Sequence, residues 1–359
     1  MRKICFVLLS FCLLLGAAPE ASAQLNRKSI KKNNKRIASY RGRKSSFGKE
    51  KRYNSIGFSV NAVNYYGDMA PKPSSLSTDI SFTRPGFGLS FVHRFGPRYS
   101  LKGEFMYATL KGADTDSADP GDLDNGVFRY QRNLSFRNRI KELSVVAVFD
   151  LFENQSTYIS RVKWTPYVFL GLAALHHNPQ AQAPATDLNG TALPEAGQWV
   201  DLRPLGTEGQ HSTLDPNDVN FGIKPYSAFQ VAIPFGLGAR FRINEVMDLW
   251  ADIGFRYTFT DYLDDVSQNY VDLGVFDNEL ARALSYRTNE LVSSGGAPYP
   301  TAPFTYTARN GADYTVQNGY GSEFRDNLRG SKADRDIYMV TSFRLTYIIG
   351  ATFHRAKFR

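Results

Sequence analysis

The stretch MDLWADIGFRYTF at residues 247–259 alternates without a break. Met247, Leu249, Ala251, Ile253, Phe255, Tyr257 and Phe259 are apolar, while Asp248, Trp250, Asp252, Gly254, Arg256 and Thr258 stand between them. Successive side chains of a β-strand point to opposite faces, so this pattern predicts a strand with one oily and one polar face. Two architectures accept such a strand. A soluble sandwich turns the oily face inward, and a membrane barrel turns it outward.

Seven further segments carry the same period: 53–66, 85–95, 99–110, 140–152, 164–176, 226–243 and 337–353. In the first, Ile56, Phe58 and Val60 oppose Gly57, Ser59 and Asn61; in the sixth, Phe235, Leu237 and Phe241 oppose Gly236, Gly238 and Arg240. Pro234 interrupts the sixth, because proline has no N–H to give a neighbouring strand. Segment 164–176 is apolar on both faces, and its pattern leaves the orientation open. Glycines on the polar faces are expected to make room for long inward arginines.

Connection lengths separate the two architectures. Gly96–Arg98, Glu153–Lys163 and Asn244–Val246 are short, whereas 67–84, 111–139, 177–225 and 260–336 are long. A sandwich gives no reason for short and long to alternate; an outer-membrane barrel does, with turns on the periplasmic side and long loops outside. The polar faces would also bury Arg94, Lys102, Glu104, Glu142, Asp150, Arg240, Arg242, Asp252, Arg256 and Arg344. A dry soluble core pays heavily in desolvation for ten ionisable groups. A barrel lumen takes them as cross-strand pairs and with water. The expected fold is therefore all-β: an eight-stranded antiparallel transmembrane β-barrel with long extracellular loops, a plugged lumen and both termini periplasmic. Phe235, Leu237, Leu249, Ile253, Phe343 and Leu345 should face lipid, and an arginine should be better tolerated inside, at Ser59 or Ser342.

The N-terminus divides from this domain. Arg2 and Lys3, the apolar run 4–16 and Ala21-Ser22-Ala23 have the order of a secretory signal over residues 1–23. Both cysteines, Cys5 and Cys12, fall inside it, which excludes disulfides and cysteine-bound metal from the mature chain. The overall charge of +9 comprises +1 on residues 1–23 and +11 on 24–52, so residues 53–359 carry −3. Residues 24–52 are expected to form a flexible basic periplasmic arm, and 53–359 the barrel. Arg27, Lys28, Lys31, Lys32, Lys35 and Arg36 in the arm are the candidate contacts to an acidic partner. Export excludes nucleic acid as that partner.

No catalytic, metal or cofactor constellation is expected. ADTDSADPGDLDN (113–125) lacks the ligand spacing of an EF-hand and reads as a solvated surface loop. Asp261, Asp264 and Asp265 read as loop structure. His176 and His177 are adjacent, so a strand sends them to opposite faces. A lipid A-modifying enzyme would need residues such as His176, Ser212 and Asp201 together, and no motif places them so. Tyr65, Tyr66, Tyr99, Tyr107, Trp164, Trp250, Tyr257, Phe259 and Tyr262 gather near strand ends, as interfacial girdles do. A non-enzymatic protein is expected, with outer-membrane lipid around it and no small-molecule substrate.

Several motifs, in order, resemble a known family: YYGDMAP (65–71), RNLSFRNRIKELS (132–144), TPYVFLGLAALHHNPQA (165–181), DLRPLGTEGQ (201–210), IPFGLGARF (233–241) and TFTDYLDDVSQNYVD (258–272). They are similar to the PorG-like outer-membrane barrels of the Bacteroidetes type IX secretion system, over residues 53–350. The resemblance implies a component of a protein-secretion machine, linked to gliding motility, that contacts a periplasmic ring of PorK lipoprotein and PorN. Against that pattern the chain has a longer basic arm, a swollen Ser293–Gly321 segment and an extension beyond the last strand. The alternative is a small OmpX/OmpW-like barrel acting as porin or surface adhesion module.

Overall fold

The computed structural model describes residues 47–48, 51–70, 82–296, 302–332 and 335–350. The expected signal, the six candidate contacts of the arm and the extension past Gly350 lie outside the described residues. Within the unit 49–359, eight long strands close into one antiparallel barrel. They are β1 (Tyr53–Tyr66), β2 (Arg84–Arg94), β3 (Tyr99–Ala113), β4 (Ser135–Asp150), β5 (Trp164–His176), β8 (Phe229–Arg242), β9 (Met247–Thr258) and β12 (Ile337–Ile349). Each pairs with the next, and β12 returns to β1 with Asn54 opposite Ile349 and Tyr66 opposite Ile337. Closure leaves no unpaired edge, which a lipid environment requires.

Four shorter strands sit in the long connections: β6 (Pro179–Gln182) and β7 (Trp199–Asp201) extend the sheet beyond β4, and β10 (Pro303–Thr307) pairs with β11 (Asp313–Gln317). The swollen segment 293–321 is thus organised around a β-hairpin. Short helices at Gly126–Arg132, Glu279–Ser285 and Thr288–Ser293 complete the cap at that end. The three short turns, and the two ends of the barrel, are at the other. In the β8–β9 turn, Asn244 Oδ1 accepts the N–H groups of Val246 and Met247 at 2.9 and 2.8 Å, which fixes the reversal.

The opening stretch answers its own question. Asp248, Trp250, Asp252, Arg256 and Thr258 are buried inside, and Leu249, Ile253 and Tyr257 are exposed outside. Around the wall Leu89, Leu143, Leu170, Leu172, Phe229 and Leu237 are each 60% exposed or more, and many other outward apolar side chains are exposed to lesser degrees. An unbroken belt of this kind is soluble only in lipid, so the barrel spans a membrane. β5 resolves with Val168, Leu170 and Leu172 outward and Tyr167 and Phe169 inward. Inward Gly236 and Gly254 make room for the Phe169 ring, since a Cβ on either would lie within 2.7 Å of its Cζ. Arginine takes some of the glycine space, as expected: a Cβ on Gly254 would lie 2.9 Å from Arg256 Nη1, and one on Gly57 3.1 Å from Arg344 Cδ. Pro234 acts as expected: the β5–β8 ladder lapses between the Leu170–Phe235 and Ala173–Ala232 pairs, while pairing to β9 continues through it.

The lumen is layered. The end near the turns mixes ion pairs with a buried cluster of Val92, Val146, Val148, Tyr167, Phe169 and Trp250, and the end near the cap is apolar: Val63, Met106, Leu110, Ile140 and Leu175 from the strands pack with Met69, Leu134, Leu263 and Val266 from the loops. A plugged lumen is expected from inward charges; this layer of the plug is apolar instead. Ser59 is not an open site. It is 1% exposed, with its hydroxyl donating to Glu104 Oε1 at 3.2 Å. Ser342 is likewise 2% exposed, so neither serine offers an arginine free space. Leu345→Arg should cost ~2–4 kcal/mol by placing charge at mid-membrane, and Ser59→Arg should also destabilise. Urea unfolding of both variants in lipid vesicles checks this against the wild type.

Candidate functional site

The lumen of an eight-stranded barrel is just wide enough for side chains to fill. Here they fill it with ion pairs. Arg344 on β12 reaches Glu104 on β3 at 2.7 Å and Asp252 on β9 at 3.2 Å. Lys102 holds the other Glu104 oxygen at 2.8 Å. Nearer the turns, Asp150 is shared by Arg94 at 2.8 Å and Arg240 at 2.6 Å, and Arg161 pairs with Asp248 at 2.8 Å. Towards the cap, Glu142 receives the Tyr338 hydroxyl at 2.6 Å and lies 3.5 Å from Arg256.

Nine of the ten lumen residues expected from the sequence are buried in this lattice. Arg242 is half-buried at the turn rim, donating to the Arg161 carbonyl at 2.9 Å. Most partners are not neighbours in the sheet: Tyr338–Glu142, Arg344–Glu104 and Arg256–Glu142 reach across the lumen, and Arg344–Asp252 joins adjacent strands. Sequence reasoning also missed Arg161, which lies in a turn, and Tyr167, whose hydroxyl donates to Asp252 at 2.9 Å. Trp250 and Tyr65 are buried inside rather than in the girdles, while Tyr99, Tyr107, Trp164, Tyr257 and Phe259 do face out. Trp250 donates to Thr346 Oγ1 at 3.2 Å beneath the Arg240 guanidinium.

Of the two acidic segments read as loops, 113–125 is exposed over most of its length, but Asp114 at its start and the Asp261–Asp265 stretch are built into the mouth. Asp114, fully buried, accepts two hydrogen bonds from Arg132 at 2.8 and 2.7 Å, so it is not part of a solvated loop. Arg132 also donates to the Asp68 carbonyl at 2.9 Å, and Arg329 to Glu208 at 3.0 Å and the Asp265 carbonyl at 2.7 Å. These arginines tie the four long connections to one another. The Tyr65 hydroxyl lies 2.6 Å from Asp264 Oδ2 and 2.7 Å from Asp336 Oδ1. One hydroxyl supplies one proton, so the second contact needs a proton on a carboxyl group, donated to the tyrosine oxygen. Burial pushes Asp336 up to about 8 and Asp261 up to about 9, with the Asp336 charge adding to the latter; burial also raises Asp264. Among the described residues no group of His, Cys, Asp and Glu is arranged to hold a metal ion.

His176 and His177 do part, as adjacent strand residues must. His176 packs edge-on against Phe229 at 5.0 Å, outside. His177 is buried, bonded through Nε2 to the Ser227 carbonyl at 3.0 Å, and burial pushes it down to about 4. Ser212 donates to the Val275 carbonyl at 2.9 Å, and Asp201 accepts from Gln180 at 2.6 Å. Each of the three residues of the conceivable lipid A enzyme is thus engaged elsewhere.

A family model described as a domain of unknown function, DUF6089, matches residues 44–189, which run from β1 through β6. No curated protein matches the chain. Among solved structures it is similar to Neisserial surface protein A at 8% identity, covering 82% of this chain and 96% of that one, with a TM-score of 0.32. The outer membrane protein OprG from Pseudomonas aeruginosa is similar at 8% identity, with 84% and 98% covered and a TM-score of 0.34. Ail, the attachment invasion locus protein of Yersinia pestis, matches at 11% identity, with 83% and 97% covered and a TM-score of 0.29.

Arg344→Met should cost about 3–5 kcal/mol, because Glu104 and Asp252 lose their common cation inside a low-dielectric lumen. Adding Glu104→Gln should return part of that loss in a double-mutant cycle of vesicle unfolding. The mouth carries a separate pH signature. Carboxyls with raised folded values bind protons that the opened cap has released, so cap stability falls as pH rises from about 4 to the 8–9 of Asp336 and Asp261. Limited proteolysis of 259–336 should be slower at acid pH than at alkaline pH. Asp336→Asn should flatten that dependence.

Proposed function

We propose that this chain is a non-conducting outer-membrane barrel that anchors other proteins at the membrane, with no catalytic role. The observation that carries this reading is the lumen filled from turn to cap, by ion pairs below and by Val63, Met106, Leu110 and Leu263 above. A solute pore needs a wet path through those layers. Barrel strands that do not conduct serve to hold what lies at their two ends: a folded cap on one side, the termini on the other.

The more specific form of the proposal is the one the ordered motifs imply: a component of the type IX secretion machinery that organises a PorK and PorN ring. Its support is the motif resemblance over 53–350. In this reading the cap faces outward and both termini are periplasmic. The basic arm, with Arg27, Lys28, Lys31, Lys32, Lys35 and Arg36, then lies beside the ring. The second reading, a surface adhesion module, is favoured by the cap itself, which has its own apolar cores around Tyr270, Leu273, Phe276 and Val316 and around Leu202, Leu280 and Leu284. Phe304, Phe324 and Leu328 are exposed on it.

Deleting the gene should block export of many cargo proteins at once, read by mass spectrometry of the culture supernatant. Unchanged secretion with lost surface attachment would select the adhesion reading. Purified protein in planar bilayers should show no steady conductance; an open-channel trace would overturn both.

A further inference from the structure

Charge on the lipid-facing side of the barrel is confined to one place. The outward positions of β1, β2, β5, β8, β9 and β12 carry no Lys, Arg, Asp or Glu. Those of β3 and β4 carry four, all cations: Lys111, Arg137, Arg139 and Lys141. All four are at the cap end. Register puts Lys111 directly opposite Arg137, Thr109 opposite Arg139 and Tyr107 opposite Lys141. Below Lys141 on the same face come Leu143 and Val145, 61% and 52% exposed, so the cations begin where the oily belt stops.

Like charges set opposite each other on a sheet repel, and these have little relief from the protein. Lys111 meets Asp116 at 3.1 Å in an exposed pair. Arg137 donates to Gln180 at 3.0 Å and lies 3.9 Å above the Trp199 ring, contacts that fix its guanidinium without neutralising it. Arg139 and Lys141 make no hydrogen bond or ion pair among the described residues. Successive same-face residues are ~6.8 Å apart along a strand, so Lys141, Arg139 and Arg137 form a ladder rising from the belt edge through the headgroup zone. An anionic group seated there would balance it, and one belonging to a molecule whose other end lies in the belt would match both the cations and the oily surface beneath them.

We propose that the outer face of β3 and β4 binds the phosphate-bearing headgroup of a membrane lipid, with Arg139 and Lys141 as its principal contacts, Arg137 and Lys111 completing the site and Leu143, Val145 and Tyr107 meeting the acyl chains. If the cap faces outward, as the preceding reading has it, that lipid belongs to the outer leaflet, and lipid A phosphates have the required chemistry. The site itself does not depend on the secretion role.

The test uses full-length protein in phosphatidylcholine nanodiscs doped with bisphosphorylated lipid A or with the same lipid stripped of phosphate. Bound lipid is counted by native mass spectrometry after release. Wild type should retain the phosphorylated form, and Arg139→Gln/Lys141→Gln should retain roughly tenfold less or lower still. Arg139→Lys/Lys141→Arg should keep binding, as should Lys224→Gln/Lys332→Gln, which removes the same charge from loops. Folding of each variant is checked by heat-modifiable migration, and outward side chains leave the lumen intact. Equal retention by the Gln pair, or equal retention of the stripped lipid, overturns the proposal. So does displacement by millimolar inorganic phosphate, which would make the patch a site for free anions. Sidedness is read separately, by impermeant labelling of Asn189→Cys on whole cells: labelling only after permeabilisation would overturn the outward cap and leave the nanodisc result standing.

Discussion

The Arg344 guanidinium, held between Glu104 and Asp252, is the interaction around which the barrel is organised. In lipid no hydrophobic force draws the strands together, since the solvent is as apolar as the outer face. Backbone ladders close the wall, but ladders alone tolerate slippage. A one-residue slip would carry Arg344, Asp252 and Glu104 into hydrocarbon, where their charges find no partner. Because its partners sit on β3 and β9, Arg344 checks the register of three strands at once. Such lattices add little net stability when whole and cost much when broken, which is the behaviour of a device for specificity.

Above that lattice the physics reverses. The cap end meets water, so burying apolar surface is again favourable, and the loops fold as a soluble protein does, around Tyr270, Leu273 and Val316. The join between the regimes is the apolar plug in the upper lumen, where loop residues Leu263 and Val266 enter the barrel and meet Val63 and Tyr338. Cap and wall therefore share a core. Tyr65, at the end of β1, fastens the join through Asp264 and Asp336.

The sequence made the barrel legible because period-two alternation and alternating loop lengths are properties of short segments. β1 and β5 could be bounded to the residue, and the inward set was recovered almost whole. Long-range pairing was not legible. Nothing in the neighbourhood of Glu142 says that Tyr338, on the far wall, will donate to it. The first residues of β4, 135–139, fall in the connection read from the sequence, since Arg137 and Arg139 stand where an outward strand position is expected to be apolar. That departure from pattern is a departure in solvent: above the belt, the outward face leaves hydrocarbon. Asp114 reads as a surface acid because composition shows charge but not the arginine that buries it.

A sealed lumen moves the question of function from the inside of the barrel to its surfaces. The wall offers three of them: the cap, the turn end from which the termini leave, and the lipid-facing side. On the lipid-facing side an uncharged surface would be indifferent to which lipid it meets and free to rotate. Four cations on β3 and β4 alone break that symmetry. A barrel with one charged shoulder presents one defined flank to an anionic lipid, and so gives the cap a preferred facing relative to whatever assembles beside it. If the barrel conducts no solute, as proposed above, a fixed rotational setting in the membrane is a way to position partners without contacting them through the pore.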